Sequence, residues 1–126
     1  MPKVLIVDDE DALRFILQQT LEEFEEVGLV ILSASNGEEG LNLIINERPD
    51  IVFLDVMMPI IDGFEVCRKV KKELGLTNIF IVILTAKGQS VDSEKSNEVG
   101  ADLYLSKPFN PMKIMEIVSE KLGYKI

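Results

Sequence analysis

Five polar side chains stand where predicted strands end, and their types could together do chemistry. They are three carboxylates, one hydroxyl and one ammonium group, at Asp8, Asp9, Asp55, Thr85 and Lys107. Three carboxylates in one place repel one another, and at least one takes up a proton unless a cation lies between them. A ligand set made only of oxygens favours a hard ion. Because the regular spacing of a calcium-binding loop is absent, we expect Mg²⁺ (or Mn²⁺) ahead of Ca²⁺.

A carboxylate, a cation, a lysine and a hydroxyl form a set suited to making and holding an acyl phosphate. The carboxylate attacks phosphorus while positive charge neutralises the charge that develops. Lys107 would supply a point charge to the phosphate, and Thr85 a hydroxyl donor. On this hypothesis Asp55, at the end of the strand "IVFLD", is the nucleophile.

The elements that must position these residues alternate along the chain. Apolar and β-branched runs predict strands, and apolar residues at helical spacing predict helices. The expected strands are 3–7, 29–34, 50–55, 79–85 and 102–106. The expected helices are 13–24, 38–47, 64–74, 90–100 and a last helix that begins at Pro111 and ends before Gly123. Asn110 is the expected N-cap of this last helix. Five strand–helix units in strict alternation predict a doubly wound α/β fold, a parallel sheet covered by helices on both faces. Ligands bind such sheets beyond the carboxyl ends of the strands, where the polar residues would meet.

Helical spacing also predicts which side chains face the core. In order along the first three helices, the inward side chains are expected to be Leu13, Ile16, Leu17, Leu21 and Phe24, then Leu41, Ile44 and Ile45, then Cys67, Val70 and Leu74. We interpret Cys67 as a small core residue rather than a nucleophile.

Composition limits the classes of protein to consider. A chain of 126 residues with 47% hydrophobic residues is about one domain with a real core. No apolar run approaches the length of a membrane span, and the start lacks the pattern of a signal peptide. The single cysteine rules out an internal disulfide and fits a reducing compartment. We therefore expect a cytoplasmic domain without a membrane segment.

Charge and the absence of histidine exclude further classes. The net charge of −9 argues against a nucleic-acid binder, which usually carries a basic patch. The sequence has no histidine, so catalytic triads built on histidine and the usual zinc sites are excluded. Any phosphohistidine chemistry would need the histidine of a partner.

Four motifs in order carry a resemblance to a known family. They are "VDDE" (7–10), "LDVMMPIIDGFE" (54–65), "ILTAKG" (83–88) and "ADLYLSKPF" (101–109). The chain resembles the receiver domain of two-component response regulators, in particular the free-standing type of chemotaxis and sporulation phosphorelays. The resemblance implies a flavodoxin-like receiver fold with strand order 2-1-3-4-5, residues 1–126 forming one receiver domain. It also implies a signalling domain that takes a phosphoryl group from a sensor histidine kinase or a histidine phosphotransfer protein, and that catalyses only its own phosphorylation and dephosphorylation.

The resemblance implies roles around the metal and the acceptor. Asp55 would be the phosphoacceptor and a metal ligand, and Asp9 a direct Mg²⁺ ligand. Asp8 would support the metal, partly through water. The backbone carbonyl of Met57 would be a further protein ligand.

It implies roles on the fourth and fifth strands as well. Lys107 would pair with Asp55 before phosphorylation and contact the phosphoryl group afterwards, and Thr85 would donate a hydrogen bond to a phosphoryl oxygen. Tyr104 matches the family's aromatic switch, which turns inward when Thr85 moves; a half-buried strand tyrosine is the other interpretation. Ala86 is small, as access of phosphate requires, and the bond before Pro108 is often cis in the family.

Two partner surfaces follow from the resemblance. Residues at the start of the first helix and in the "KPFNP" loop (107–111) would face the kinase: Leu13, Arg14, Ile16, Pro108 and Phe109. Core packing is an equally good interpretation of Leu13 and Ile16. The weakly apolar helix at 90–100, with Tyr104 and the last helix, would form an output face for an unidentified target protein or a second copy, so that the protein is a monomer or a phosphorylation-dependent dimer.

Three other classes of protein share some of these features. A haloacid-dehalogenase-type phosphatase needs a D-x-D pair, but Met57 occupies its second position. A flavodoxin-like cofactor binder needs a phosphate loop after the first strand, where the acids at 8–11 would repel the ligand. A DNA-binding regulator of which this is the receiver part stays open, although no basic DNA-reading module is present.

The bulky Met57 and Lys87 could shield a phosphoryl group from water, which predicts slow self-dephosphorylation.

Overall fold

The computed structural model describes residues 1–85 and 91–125. Five strands, β1 to β5, span Lys3–Val7, Val30–Ala34, Ile51–Asp55, Phe80–Thr85 and Leu103–Ser106, and five α-helices, α1 to α5, span Asp11–Glu25, Gly37–Glu47, Gly63–Arg68, Val91–Glu98 and Pro111–Leu122. All strand pairs are parallel, in the order β2-β1-β3-β4-β5. The predicted doubly wound sheet and its strand order are therefore confirmed. Within the described part of the chain, no helix is long and apolar enough to cross a membrane.

Two apolar clusters lie on opposite faces of the sheet, because successive strand residues point to opposite sides. Along β1, for example, Leu5 and Val7 join one cluster, while Val4 and Ile6 join the other. The first cluster includes residues of α2 and α3 and Val99, which follows α4, and the second includes residues of α1 and α5. Every residue of β3 is buried, so the strand that ends in Asp55 is held on both faces.

The register of the central strands determines which residues emerge together at the carboxyl edge. Val7 of β1 lies opposite Leu54 of β3, so the next residues, Asp8 and Asp55, leave the sheet side by side. On the other side of β3, Asp55 lies opposite Leu84, the residue before Thr85. The predicted meeting of strand ends follows from this register alone.

Two predictions of inward-facing residues were wrong, those of Leu74 and Ile45. Leu74 is exposed because a π-helical segment, Lys69–Glu73, follows α3, and the Leu74 N–H donates to the Lys69 carbonyl five residues back. This wider turn rotates Leu74 away from the core. Ile45 is exposed because it follows the buried Ile44 on a helix that has one inward stripe. Of the two interpretations of Ile16, core packing does not hold, because this residue lies beside the buried stripe of α1 and faces solvent.

The predicted helix ends hold for α5, and the interpretation of Cys67 is confirmed. The Asn110 side chain accepts a hydrogen bond from the Met112 N–H at 2.9 Å, Pro111 is the first helical residue, and Gly123 ends the helix with φ 75°. The Cys67 thiol is buried and lies 3.6 Å from the Val99 carbonyl oxygen. Burial raises the pKa of Cys67 to about 12, which makes the thiol unreactive.

The loop after β3 is tightly built. A Cβ atom added at Gly63 would lie 2.1 Å from the Asp55 carbonyl oxygen, and one added at Gly37 would lie 2.2 Å from the Ile61 carbonyl oxygen. Between these close approaches, the Ile61 N–H donates to the Pro59 carbonyl at 2.9 Å, and Ile60 has φ 75°. This γ-turn is a strained conformation for a β-branched residue.

Replacing the strained isoleucine should stabilise the protein. In Ile60→Asn, we expect the free energy of unfolding to rise by about 1 kcal/mol, because asparagine adopts a positive φ more readily than a β-branched residue does. The Ile60 side chain is 72% exposed, so its removal loses little packing. Thermal unfolding followed by circular dichroism should show a Tm higher by about 3–5 °C.

Val27→Asn is the matched control for this change. Val27 is also β-branched and is 62% exposed, but its φ is not positive. Its replacement should change the Tm by less than about 2 °C. An equal gain in both variants, or no gain at position 60, would contradict the strain interpretation.

Candidate functional site

The five predicted polar residues do meet at the carboxyl edge of the sheet. Asp8 and Asp9 directly follow β1, Asp55 ends β3, Thr85 ends β4 and Lys107 directly follows β5. Asp8, Asp55 and Thr85 are buried, Lys107 is half-buried and Asp9 is exposed. The site is thus a cluster of buried and half-buried polar groups with one exposed carboxylate, Asp9, at the carboxyl edge of the sheet.

The three carboxylates are arranged as cation ligands are. One oxygen atom from each of Asp8, Asp9 and Asp55 lies within 4.8 Å of the others. Hard cations prefer such oxygen donors, and Mg²⁺ takes few carboxylates while keeping water in its remaining positions. The residues present therefore fit Mg²⁺ or Mn²⁺.

The Lys107 ammonium bridges two of these carboxylates. Its Nζ donates to Asp55 Oδ1 at 3.0 Å and to Asp8 Oδ2 at 3.2 Å. The carboxylate of Glu10 lies farther from it, at 3.7 Å. Sequence reasoning did not give Glu10 a role of its own, although it belongs to the "VDDE" motif. The expected pairing of Lys107 with Asp55 is present, and the same ammonium also pairs with Asp8.

Burial and mutual repulsion change the pKa values of these groups. The pKa of Asp55 is raised to about 6, chiefly by burial and further by the charges of Asp8 and Asp9, with its hydrogen bond to Lys107 acting against the rise. Burial also raises the pKa of Asp8, although the Glu10 N–H and Lys107 oppose it. Burial alone would lower the pKa of Lys107, but its contacts with the two carboxylates outweigh burial and raise it. The site therefore favours binding of a proton or a cation.

Asp8 is restrained at each of its polar atoms. Besides the contact of Oδ2 with Lys107, its Oδ1 accepts the Glu10 N–H at 2.9 Å, and its N–H donates to the Ala34 carbonyl at 3.1 Å. Its carbonyl oxygen accepts from Arg14 Nη1 at 2.6 Å. Sequence reasoning assigned Arg14 to a partner surface and missed this inward contact, which no local pattern signals.

Thr85 and Tyr104 occupy neighbouring strands. The Thr85 hydroxyl oxygen lies 3.4 Å from the Leu105 carbonyl oxygen, the residue after Tyr104. The Tyr104 ring faces solvent. The Lys107 N–H donates to the Thr85 carbonyl at 2.7 Å, and the bond between Lys107 and Pro108 is cis, as the family pattern led us to expect.

The remaining predicted residues, those of the loop after β3 and of the expected partner surface, differ in how far they are exposed. Met57 is two residues past Asp55 in the tight loop, with its side chain 75% exposed. Ile16 and Pro108 are exposed, whereas Leu13 and Phe109 are half-buried against the α1 and α5 cluster. Lys87 and Ala86 lie outside the described residues.

A known protein family and curated proteins match this chain in sequence. A family model for the response regulator receiver domain matches residues 4–119. Probable transcriptional regulator ycf27 of Guillardia theta is 45% identical over 112 residues, which are 89% of this chain and 42% of that protein. The alkaline phosphatase synthesis transcriptional regulatory protein PhoP of Bacillus subtilis (strain 168) is 40% identical over 112 residues, which are 89% of this chain and 45% of that protein. The chain thus spans less than half the length of these curated relatives.

A solved structure matches over nearly its whole length. The structure of chemotaxis protein CheY4 of Vibrio cholerae superposes with a TM-score of 0.82 at 31% identity, covering 95% of this chain and 98% of that one. The family match also excludes the phosphatase and flavodoxin-like interpretations. The strand ends of β1, β3, β4 and β5 that converge on the site, the cluster of three carboxylates and these matches lead to one conclusion: the chain belongs to the response regulator receiver domain family, the signalling domains of two-component systems.

Proposed function

We propose that this domain accepts a phosphoryl group on Asp55 from a sensor histidine kinase or a histidine phosphotransfer protein, in a reaction that requires Mg²⁺ (or Mn²⁺). The observation that carries this proposal is the bridge from Lys107 Nζ to Asp55 and Asp8 within a cluster of three carboxylates. That arrangement holds a nucleophile, a cation site and a charge for the phosphoryl oxygens in one place. The domain would act on no external substrate and would catalyse only its own phosphorylation and dephosphorylation.

The cation would be held by Asp8, Asp9 and Asp55 together with the backbone carbonyl of Met57. When bound, it supplies positive charge to the phosphoryl oxygens as the donor's bond breaks. The raised pKa values of Asp8 and Asp55 support this role, since both groups gain from a positive charge nearby. The tight loop after β3, closed by the hydrogen bond from the Gly63 N–H to the Val56 carbonyl at 2.9 Å, would keep the Met57 peptide in position.

In the transfer step, an oxygen of the ionised Asp55 forms a bond to phosphorus while the bond from phosphorus to the donor's imidazole nitrogen breaks. The imidazole leaves with the electron pair of that bond and takes up a proton. The Lys107 ammonium then exchanges its contact with Asp55 for one with a phosphoryl oxygen. Because Lys107 also contacts Asp8, it would remain over the site throughout.

The conformational response would begin at Thr85. To donate to a phosphoryl oxygen, its hydroxyl must leave the Leu105 carbonyl, which it approaches at 3.4 Å. The space on that side of β5 would then admit Tyr104, whose ring faces solvent before phosphorylation. The face formed by α4, β5 and α5 would pass the change to a target protein or a second copy.

The surfaces for partners follow from the same geometry. Receivers of this family interact with histidine kinases or phosphotransfer proteins. We propose that the donor docks over exposed Ile16 and Pro108, with Leu13 and Phe109 shaping the surface beneath them. The net charge of −9 makes nucleic acid an unsuitable ligand for this domain itself. A cytoplasmic location is part of the proposal, because the kinase domains that donate phosphoryl groups work there.

Small-molecule donors should test the chemistry directly. Incubation with acetyl phosphate or phosphoramidate plus Mg²⁺ should add one phosphoryl group, measured by intact mass. Asp55→Asn should abolish the addition, because the amide is not a nucleophile, and removal of the metal with EDTA should slow it strongly. Asp62→Asn, in the same loop but outside the cluster, should be labelled like the wild type. Failure of the wild type with both donors would contradict the proposal.

The buried acid should make stability depend on pH in the absence of divalent cations. The folded-state pKa of Asp55, about 6, lies above its ordinary value of 3.8, so the folded protein holds this proton more tightly than the unfolded chain does. Its contribution to the free energy of unfolding is therefore largest at low pH and is lost as the pH rises from about 4 to about 6. The Tm difference between Asp55→Asn and wild type should grow over that window. A difference that does not change with pH would contradict the raised pKa.

The exposed methionine should influence loss of the phosphoryl group. We expect Met57→Asn to lose the phosphoryl group several-fold faster, because the shorter asparagine would no longer cover the group and can also hydrogen-bond an attacking water. Lys87→Ala should also shorten its lifetime. Decay of the labelled protein is followed by intact mass, with Leu74→Asn, exposed at the opposite edge of the sheet, as the control. Unchanged decay in both variants would reject the shielding hypothesis.

A further inference from the structure

We propose that Arg14 is a positioning residue for the cation site, holding the turn that carries Asp8 and Asp9. This inference rests on the proposed function, in which those two carboxylates bind the cation. It assigns to the start of α1 a role in building the site, beyond any contact with a partner.

The contacts of Arg14 point inward. Its Nη1 donates to the Asp8 carbonyl oxygen at 2.6 Å, and its Nη2 contacts the Asp11 carboxylate. The side chain is only 18% exposed, although it starts from the first turn of a surface helix. Its own N–H donates to the Glu10 carbonyl at 3.1 Å, so backbone and guanidinium hold both ends of the acidic turn.

Restraint of the Asp8 carbonyl determines the direction of Asp9. The peptide group between these residues is planar, so fixing the carbonyl oxygen also fixes the N–H of Asp9. Asp9 is exposed, and packing does not hold its side chain in place. The backbone therefore sets where its carboxylate points, and the Arg14 bond is the side-chain contact that fixes this peptide plane.

The charge of Arg14 acts in the opposite direction. A guanidinium is always protonated and repels a cation that binds nearby. If charge were its only effect, removing Arg14 would strengthen Mg²⁺ binding. If positioning dominates, removal weakens binding. A lysine does not restore it, because its ammonium is a compact point charge on a flexible stem and does not hold the planar, directed bond to the Asp8 carbonyl. Charge and positioning therefore predict opposite changes in Mg²⁺ affinity when Arg14 is removed.

Asp11 provides the matched control. Its side chain is 93% exposed, so its ion pair with Arg14 is screened by water. Asp11→Asn weakens that ion pair but leaves the bond from Arg14 to the Asp8 carbonyl. If the carbonyl bond is the important contact, Asp11→Asn binds Mg²⁺ as the wild type does.

The test is calorimetric titration of Mg²⁺ into wild type, Arg14→Lys, Arg14→Met and Asp11→Asn. We expect Arg14→Met and Arg14→Lys to bind about 10-fold more weakly, which is the usual loss when a group that orients a metal ligand is removed. Circular dichroism and the Tm in EDTA verify folding; if Arg14→Met does not fold, Arg14→Lys carries the test. Saturating Mg²⁺ should return the rate of labelling by acetyl phosphate to near that of the wild type, since Arg14 touches neither donor nor phosphoryl group.

Each other outcome decides against a particular claim. Unchanged or tighter Mg²⁺ binding in Arg14→Lys and Arg14→Met, with normal binding and labelling of the wild type, overturns the positioning role and leaves the proposed function intact. Equal weakening in Asp11→Asn also overturns it, because the ion pair would then be the important contact. A wild type that neither binds Mg²⁺ nor becomes labelled overturns the proposed function and this inference together.

Discussion

The repulsion among three carboxylates at one edge of the sheet is the constraint on which the site depends. Asp8 and Asp55 are buried, where an uncompensated charge is expensive. Lys107 compensates both with one ammonium, and the remaining negative charge leaves the site attractive to a cation. Burial, reinforced by the charges of Asp8 and Asp9, raises the pKa of Asp55 to about 6. Proton, lysine and metal thus compete for one cluster, and each changes how the others bind.

The rest of the fold places that cluster accurately. The strand that carries Asp55 is buried on both faces, so the carboxylate leaves the sheet at a point that two apolar clusters define. Glycine at position 63 lets the following helix begin directly against the Asp55 carbonyl. A larger residue there would push the loop, and the Met57 peptide with it, away from the acids. Core packing and site geometry are therefore joined at the end of β3.

Strain and restraint are concentrated around the site. Ile60 has a backbone conformation that β-branched residues rarely adopt, in the loop that also carries Met57. After β1, Asp8 has a hydrogen-bond partner at each polar atom. By contrast, the Tyr104 ring is exposed and the Thr85 hydroxyl lies 3.4 Å from the Leu105 carbonyl oxygen. In the proposed function, these are the groups from which a conformational response would start.

The sequence by itself determined the fold class, the strand order expected from the family motifs, and the five polar residues that meet at the sheet edge. This was possible because period-two and helical patterns are local, and strand ends in a parallel sheet share one side. Only the tertiary structure decided that Arg14 turns inward, that a π-helical turn exposes Leu74, and that Lys107 is shared between Asp55 and Asp8. The contact between Lys107 and Asp8 joins residues 99 positions apart. The other two features join residues close in sequence, but they depend on how a guanidinium and a helical turn pack in the folded chain, which no local pattern encodes.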